Sequence, residues 1–152
     1  MSSTFSAPIR VNTRQTTSNN GTLSADNTGA VVLTQQVPFV SGAAAAVVIP
    51  AGSIIHNVQA YVNDAATSRA ISLTVNGTTT SVGSVSTASL GVANASFTAS
   101  AAVADLLANV GAYDCTVTLG SEVSSAGTLS VTYTARNANG TITPYGSGLS
   151  NS

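Results

Sequence analysis

Short runs in which apolar and polar residues alternate dominate this chain between residues 31 and 136. A period of two is typical of strands that bury one face of a sheet and expose the other. The clearest runs cover residues 31–39, 45–49, 54–63, 71–82, 113–119 and 128–136. Because Pro, Gly, Asn and Ser separate these runs, the pattern predicts an antiparallel all-β fold.

The strongest local signal is a hairpin centred on Asn76-Gly77. This dipeptide favours a two-residue type I′ turn, in which both central residues have positive φ. The predicted cross-strand pairs are Val75 with Thr78, Leu73 with Thr80 and Ile71 with Val82. In this register the apolar residues of both strands share one face.

Three other strands have two distinguishable faces. In residues 54–63, one predicted face holds Ile54, His56, Val58, Ala60 and Val62, and the other holds Ile55, Asn57, Gln59, Tyr61 and Asn63. The apolar face of the strand 113–119 holds Tyr113, Cys115, Val117 and Leu119. The apolar face of the strand 128–136 holds Leu129, Val131, Tyr133 and Ala135. We expect the loop 120–127 to join these two later strands as a hairpin.

One helix interrupts the strand pattern. Its apolar residues recur at helical spacing: Val103, Leu106, Leu107 and Val110. Ser100 is placed to cap its N-terminus, and Gly111 to take the left-handed conformation at its C-terminus.

Strands at this spacing with one short α-helix predict an antiparallel two-sheet β-sandwich. A jelly-roll-like topology is the leading expectation, with an immunoglobulin-like sandwich second. Residues 30–136 form the predicted β-sandwich domain. Residues 1–29, rich in Ser, Thr and Asn, predict an extended or flexible N-terminal arm, and residues 137–152 a C-terminal tail.

Composition narrows the range of functions. Only 6% of residues are charged, lysine is absent, and the chain has one histidine and one cysteine. A nucleophilic site would have to be built around His56, which the alternation places among apolar neighbours, so we predict no enzyme and no catalytic residue. We expect Cys115 to be a buried reduced thiol.

Binding chemistry is equally sparse. The arginines are scattered along the chain, which argues against nucleic acid as a partner. No spacing of His, Cys or acidic residues predicts a metal site, and no phosphate-binding motif predicts a cofactor. The sequence has neither a signal-peptide pattern nor an apolar run long enough for a membrane span, so we expect synthesis in the cytoplasm and no membrane.

Sugar binding is the main alternative from the residues alone, because it needs no catalytic group. Such sites usually offer an aromatic platform with polar neighbours. Tyr113 and Tyr133 fall on predicted apolar faces, which leaves Tyr61 and Tyr145 as candidates.

The stretch VPFVSGAAAAVVIPAGSIIHNVQAYVNDAATSRAISLTVNG, residues 37–77, resembles small virion proteins of tailed bacteriophages. The shared features are an apolar strand that ends in an IPAG turn, an alternating strand, and a short strand of the SLTVNG kind. The resemblance extends loosely to YDCTVTL and GTLSVTYTARNANG. The family it most resembles is the capsid decoration, or cement, proteins with a jelly-roll fold.

This resemblance implies a virion structural protein on the outer capsid surface that stabilises the shell. The implied partners are the major capsid protein and further copies of the chain, with a trimer favoured. We expect the arm to contact the shell through Arg10 and Arg14, and Tyr61 to be a further contact residue. A head-fibre or tail adhesin that contacts the host surface is the alternative, and a hydrolase that depends on His56 ranks third.

Overall fold

The structure is a computed structural model that describes residues 13–18, 21–26 and 32–135. β1 (Thr13–Ser18) and β2 (Gly21–Asp26) pair antiparallel in a two-stranded sheet of their own. Both strands lie within the predicted arm, and the predicted tail lies outside the described residues. The boundaries of arm, domain and tail therefore stay predictions.

Eight further strands and one helix form the domain. The strands are β3 (Val32–Phe39), β4 (Ala45–Ile49), β5 (Ile54–Asp64), β6 (Ser68–Val75), β7 (Thr78–Ser86), β8 (Gly91–Phe97), β9 (Cys115–Leu119) and β10 (Ala126–Thr134). The helix α1 covers Ala101–Ala108. An antiparallel, mostly β domain with one short helix confirms the coarse fold prediction.

The eight strands form one sheet in the order β3-β10-β5-β8-β7-β6-β9-β4. This sheet curls until its edge strands β3 and β4 approach each other. Gln35 Nε2 on β3 donates a hydrogen bond to the Val48 carbonyl on β4 at 3.2 Å. The sheet is therefore nearly closed into a barrel.

β8 connects two halves of the barrel because it changes partner along its length. Gly91 to Asn94 pair with β5, whereas Ala95 to Phe97 pair with β7. We call β3-β10-β5-β8 the first half and β7-β6-β9-β4 the second half. Hydrogen bonding is continuous through β8, so the pairing alone does not separate two sheets.

The strand pairs are nested along the chain. β6 pairs with β7, β5 with β8, β4 with β9 and β3 with β10. The chain thus folds back on itself at the β6–β7 turn, and each later pair encloses the one before it. Additional pairing of β10 with β5, β9 with β6, and β7 with β8 rolls this long hairpin into the barrel.

Aliphatic side chains from alternate strand positions fill the barrel. The most deeply buried include Ile49, Ile71, Leu73, Val82, Val85, Val117, Leu119, Leu129 and Val131. Phe39 and Tyr133 are the aromatic members of the core, and the Tyr133 hydroxyl is hydrogen-bonded by Gln35 Nε2 at 2.8 Å. Burial of each aliphatic side chain contributes about 1.5–3 kcal/mol.

The β6–β7 hairpin confirms the predicted turn and its first two pairs. Asn76 and Gly77 have φ of 48° and 76°, as a type I′ turn requires. The third pair differs, because Ile71 lies opposite Gly83 and not Val82. A bulge makes Val82 an extra residue on β7, and its side chain points into the core.

A second bulge corrects the prediction for His56. Ile55 and Asn57 face successive residues of β10, which leaves His56 as the extra residue. Ile55 is buried and His56 is exposed, the reverse of the predicted faces. Because the bulge shifts the alternation by one residue, the predicted faces are right only from Asn57 onward.

The predicted hairpin between the last two strands is wrong. β9 pairs with β4 and β6, whereas β10 pairs with β3 and β5, so residues 120–125 cross from one half to the other. Each strand gains two hydrogen-bonded neighbours in this way. β9 begins at Cys115, and Tyr113 lies before it with 55% of its surface exposed, not on an apolar face.

β8 is a strand that the sequence pattern did not predict. Its inward positions are Ala93, Ala95 and Phe97, which pack against the core. Two alanines give little hydrophobic contrast with the small polar residues between them, so the alternation is weak.

The helix begins as predicted and ends differently. Ser100 Oγ accepts a hydrogen bond from the Val103 N–H at 3.2 Å and caps α1. The C-terminal cap is Asn109 in extended conformation, and the positive φ of Gly111 occurs two residues later. Across the described ranges, α1 is the one helix, and its eight residues are too few to cross a bilayer.

Candidate functional site

The three predicted contact residues have different positions. Tyr61 lies on β5 with its side chain on the outside of the first half, 42% exposed. Arg14 belongs to β1, for which only the backbone is described, and Arg10 lies outside the described residues. The structure therefore does not test whether the arginines contact a partner.

Tyr61 is part of an outer surface that we call the Tyr61 face. It comprises eleven outward residues of the first half, in three rows across the strands. The rows are Pro38, Thr128, Tyr61 and Val92; Gln36, Ser130, Gln59 and Asn94; and Thr34, Thr132 and Asn57. None of these residues is charged, so the face offers only neutral hydrogen-bonding groups and a small apolar area.

Three amide side chains on this face are hydrogen-bonded to one another, and we call them the amide cluster. Asn94 Oδ1 accepts from Gln59 Nε2 at 2.8 Å and from Asn57 Nδ2 at 3.3 Å. Asn94 belongs to β8, whereas the other two residues belong to β5. The pairing of β5 with β8 brings the three amides together. The sequence pattern predicted neither β8 nor this pairing.

The second half presents a different outer surface. Its outward positions carry hydroxyls and small apolar groups: Ala46, Val48, Ser72, Thr74, Thr79, Ser81, Thr116 and Thr118. The Thr74 and Thr79 hydroxyls are hydrogen-bonded at 2.8 Å. This surface has neither an aromatic side chain nor an amide, so the two sides of the barrel differ in binding chemistry.

His56 lacks the neighbours of a catalytic base. Its Nε2 atom lies 2.6 Å from Thr134 Oγ1. Within residues 32–135, no carboxylate is hydrogen-bonded to the other side of the ring, as an oriented Ser-His-Asp arrangement requires. Nor does any group of three or more His, Cys, Asp or Glu side chains come together there to hold a metal ion.

Cys115 is buried in the core, as expected, at 0% exposure. Desolvation raises the pKa of its thiol to about 11, and a backbone hydrogen bond at Thr74 opposes the rise to a smaller extent. The thiol is therefore protonated at neutral pH and shielded from solvent, unlike a catalytic or redox-active cysteine.

Arg69 is a buried charge whose role the sequence reasoning missed. It is 1% exposed, and its guanidinium carbon lies 4.8 Å from the centre of the Phe39 ring. Its hydrogen-bond acceptors are Ser125 Oγ and the carbonyls of Val40, Ala43, Gly120, Glu122 and Ser125. Burial lowers the pKa of Arg69, and the Glu122 carboxylate opposes this effect. A sequence signal was available, because Arg69 alternates with Ile71 and Leu73.

These hydrogen bonds tie together the loops at one end of the barrel. Residues 40–44 and 120–125 are also joined directly, by the Gly42 N–H to the Glu122 carbonyl at 2.8 Å. The Ser124 N–H donates to Ser41 Oγ at the same distance. Arg69 is thus a positioning residue for this end of the domain.

The described part of the chain also has a shallow, open groove beside α1. Phe97, Val103 and Leu107 line it together with the capping residue Ser100. Apart from Ser100 and Thr98, its lining is apolar or alanine, and no charged side chain converges on it. The groove therefore lacks the directional groups of a specific ligand site.

Comparison of the whole chain with protein-family models, with curated proteins and with solved structures finds no match.

Proposed function

We propose that this protein is a capsid decoration, or cement, protein that binds the outer surface of a viral shell and stabilises it. The observation that carries the proposal is the nested pairing of the eight domain strands. Starting from the innermost pair, β6–β7, each of the three later pairs encloses the previous one, and the resulting long hairpin is rolled up. This is the winding expected of an eight-stranded jelly roll, an architecture common in viral capsid proteins.

The finer fold assignment is part of this proposal. We assign β3-β10-β5-β8 and β7-β6-β9-β4 as the two facing sheets of the jelly roll, with β8 bending from one to the other. The resemblance of residues 37–77 to small virion proteins supports the same assignment. Because one fold serves many functions, the fold alone does not identify the surface that the protein binds.

Charge distribution supports a contact role for the terminal segments. Residues 32–135 contain one arginine, Arg69, which is buried, and four acidic residues. The other three arginines, Arg10, Arg14 and Arg136, all lie outside this range. Val32 pairs with Thr134, so the segments that carry these arginines join the domain at the same end. We propose that these arginines contact an acidic surface of the major capsid protein.

The stabilising mechanism is mass action. A protein that bridges several capsid subunits binds fully only while they keep their correct arrangement, so its binding energy favours the intact shell. The protein acts as an oligomer in this proposal, with a trimer favoured. Its several weak contacts together give a high affinity, because once one contact has formed the others bind at a high effective concentration. The function requires no enzymatic step, cofactor or nucleic acid.

Shell-binding measurements test this function. Full-length protein is mixed with mature and empty shells and with host cells, and occupancy is measured after sedimentation. We expect saturable binding to shells, and loss of binding in a variant lacking residues 1–25 that keeps its thermal unfolding transition. A double variant Arg10→Ser/Arg14→Ser should bind about 2- to 30-fold more weakly, since each of two exposed charge contacts contributes about 0.2–1 kcal/mol.

Wild-type occupancy in the deletion variant would overturn the role of the arm. Binding to cells with no binding to shells would overturn the decoration function. That second result would favour a head-fibre or tail adhesin, for which the exposed Tyr61 beside the amide cluster is the supporting observation. Electron microscopy of virions separates the two functions, since decoration gives regular sites over the shell and an adhesin gives projections.

A further inference from the structure

The Tyr61 face combines an exposed ring with an ordered set of amides. Tyr61 is 42% exposed and lies directly opposite Val92, which is 60% exposed, on the neighbouring strand. Gln59 and Asn94 form the corresponding pair one row away. Two residues along a strand span about 7 Å, so the ring and the amides lie within reach of one small ligand.

The amide cluster leaves both donors and acceptors for such a ligand. A primary amide has two N–H donors and an oxygen with two lone pairs. The two bonds to Asn94 Oδ1 use both lone pairs of that oxygen and one N–H each from Gln59 and Asn57. The Asn94 amino group and the oxygens of Gln59 and Asn57 keep their hydrogen-bonding capacity, and their directions are set by the cluster.

These groups are held on a rigid support. β5 is hydrogen-bonded to β10 on one side and to β8 on the other, and Ser130 beside Gln59 is 2% exposed. Sites on paired strands keep their geometry better than sites on loops. Ligand binding would therefore require little ordering of side chains, which lowers its entropic cost.

We propose that the Tyr61 face binds a neutral glycan. A sugar ring has an apolar C–H side that can pack on Tyr61 and Val92, and hydroxyls that both donate to and accept from amides. The complete absence of charged side chains on the face matches an uncharged ligand and gives no selectivity for an acidic one.

A second copy of the chain is a weaker match to the same surface. Stable protein interfaces bury about 800 Å² per partner around an apolar core. Here the large exposed apolar side chains of the face are Tyr61 and Val92, and the other positions are mostly Thr, Ser, Asn and Gln. Because two of its eleven positions carry large exposed apolar side chains, the face is more polar than the apolar core of a stable interface.

Glycan binding goes beyond shell decoration and is compatible with it. Tyr61 lies seven residues along β5 from Ile54, the partner of Thr134. At about 3.3 Å per residue this is ~23 Å from the end where the terminal segments join the domain. Tyr61 and the row that contains it therefore lie toward the opposite end of β5 from the junction with those segments.

The test uses the full-length protein and four neutral oligosaccharides: cellohexaose, maltohexaose, mannohexaose and chitohexaose. Binding is followed by saturation-transfer NMR and by isothermal titration calorimetry. We expect saturable binding to at least one of them, a loss of at least ~10-fold in affinity in Tyr61→Ala, and near wild-type affinity in Tyr61→Phe. Asn94→Ala should also weaken binding, because it removes the shared acceptor of the cluster.

Tyr113→Ala is the matched control, since Tyr113 is exposed and lies away from this face. It should bind like wild type, and thermal unfolding should show that each variant folds. Absence of saturable binding to all four sugars, or equal binding by wild type and Tyr61→Ala, would overturn the proposal. So would concentration-dependent self-association that Tyr61→Ala abolishes without any sugar binding. Arg10→Ser/Arg14→Ser, which should weaken shell binding, should keep the wild-type affinity for the sugar, so failure of glycan binding and failure of shell binding are distinguishable.

Discussion

Arg69 shows how one residue can organise a distant part of the chain. Its side chain leaves β6 and reaches carbonyls in the loops 40–44 and 120–125, which lie 26–29 and 51–56 residues from it in sequence. A planar guanidinium with five N–H donors can serve several carbonyls at once, and its flat surface packs on Phe39. The charge is tolerated in the interior because these acceptors replace its water.

Arg69→Lys should lower the free energy of unfolding by at least ~3 kcal/mol. An ammonium has three donors and a different geometry, so buried carbonyls would lose their partners. Urea denaturation provides the measurement. Ser125→Ala is the control, because it removes only the hydroxyl acceptor and should cost about 1 kcal/mol. Equal stability of Arg69→Lys and wild type would show that the hydrogen bonds do not hold the loops.

At the scale of elements, the bulges and close strand contacts shape the barrel. The β5–β10 ladder is irregular near Gly127, which pairs with both Val62 and Phe39. A Cβ atom on Gly127 would overlap the Tyr61 carbonyl oxygen and lie 2.9 Å from Cζ of Phe39. Glycine is therefore required here for the approach of β10 to β5, and not for an unusual turn conformation.

Gly127→Ala should destabilise the domain by about 1–3 kcal/mol or more, since the overlap involves backbone that must move. The expected change is a lower midpoint of thermal unfolding. Gly120→Ala is the matched control, because the nearest atom to its Cβ, the Ala70 carbonyl oxygen, lies at 3.4 Å. A similar midpoint for both variants would contradict the close approach of these strands.

At the scale of the whole molecule, the nested strand order joins distant segments into one cooperative unit. β3 and β10 are the first and last strands of the domain, and they pair along their length. The core between the strands is mostly aliphatic and includes the buried Cys115. The folded state keeps that thiol neutral, so the free energy of unfolding depends on pH in the alkaline range.

The free energy of unfolding should fall between about pH 9 and pH 11. The pKa of Cys115 is raised from 9.0 to about 11 in the folded protein. Over this window the unfolded chain loses the thiol proton first, so the unfolded state binds fewer protons and is favoured as pH rises. The effect is at most ~1 kcal/mol per pH unit, and below pH 9 it vanishes.

Urea denaturation from pH 8 to pH 11 measures this dependence. Cys115→Ala serves as the comparison, because it lacks the thiol and keeps every other ionisable group. We expect a steeper loss of stability with pH in wild type than in the variant. Parallel pH profiles for the two proteins would contradict the burial of a neutral thiol.

The sequence by itself determined the local features of this protein. Asn76-Gly77 specifies its turn, Ser100 specifies the start of α1, and the alternation around Val117 and Val131 identifies buried strand faces. Each signal comes from residues a few positions apart, where backbone preferences and side-chain periodicity act directly. The same alternation placed Tyr61 on an outer face together with Asn57 and Gln59.

Only the tertiary structure decided which strands pair and where the alternation shifts. It placed β10 between β3 and β5, moved His56 to the surface through a bulge, and brought Asn94 to the other two amides. It also showed that Arg69 is a core residue. These outcomes depend on partners distant in the chain, because a strand's own pattern says which face is buried but not which strand lies beside it.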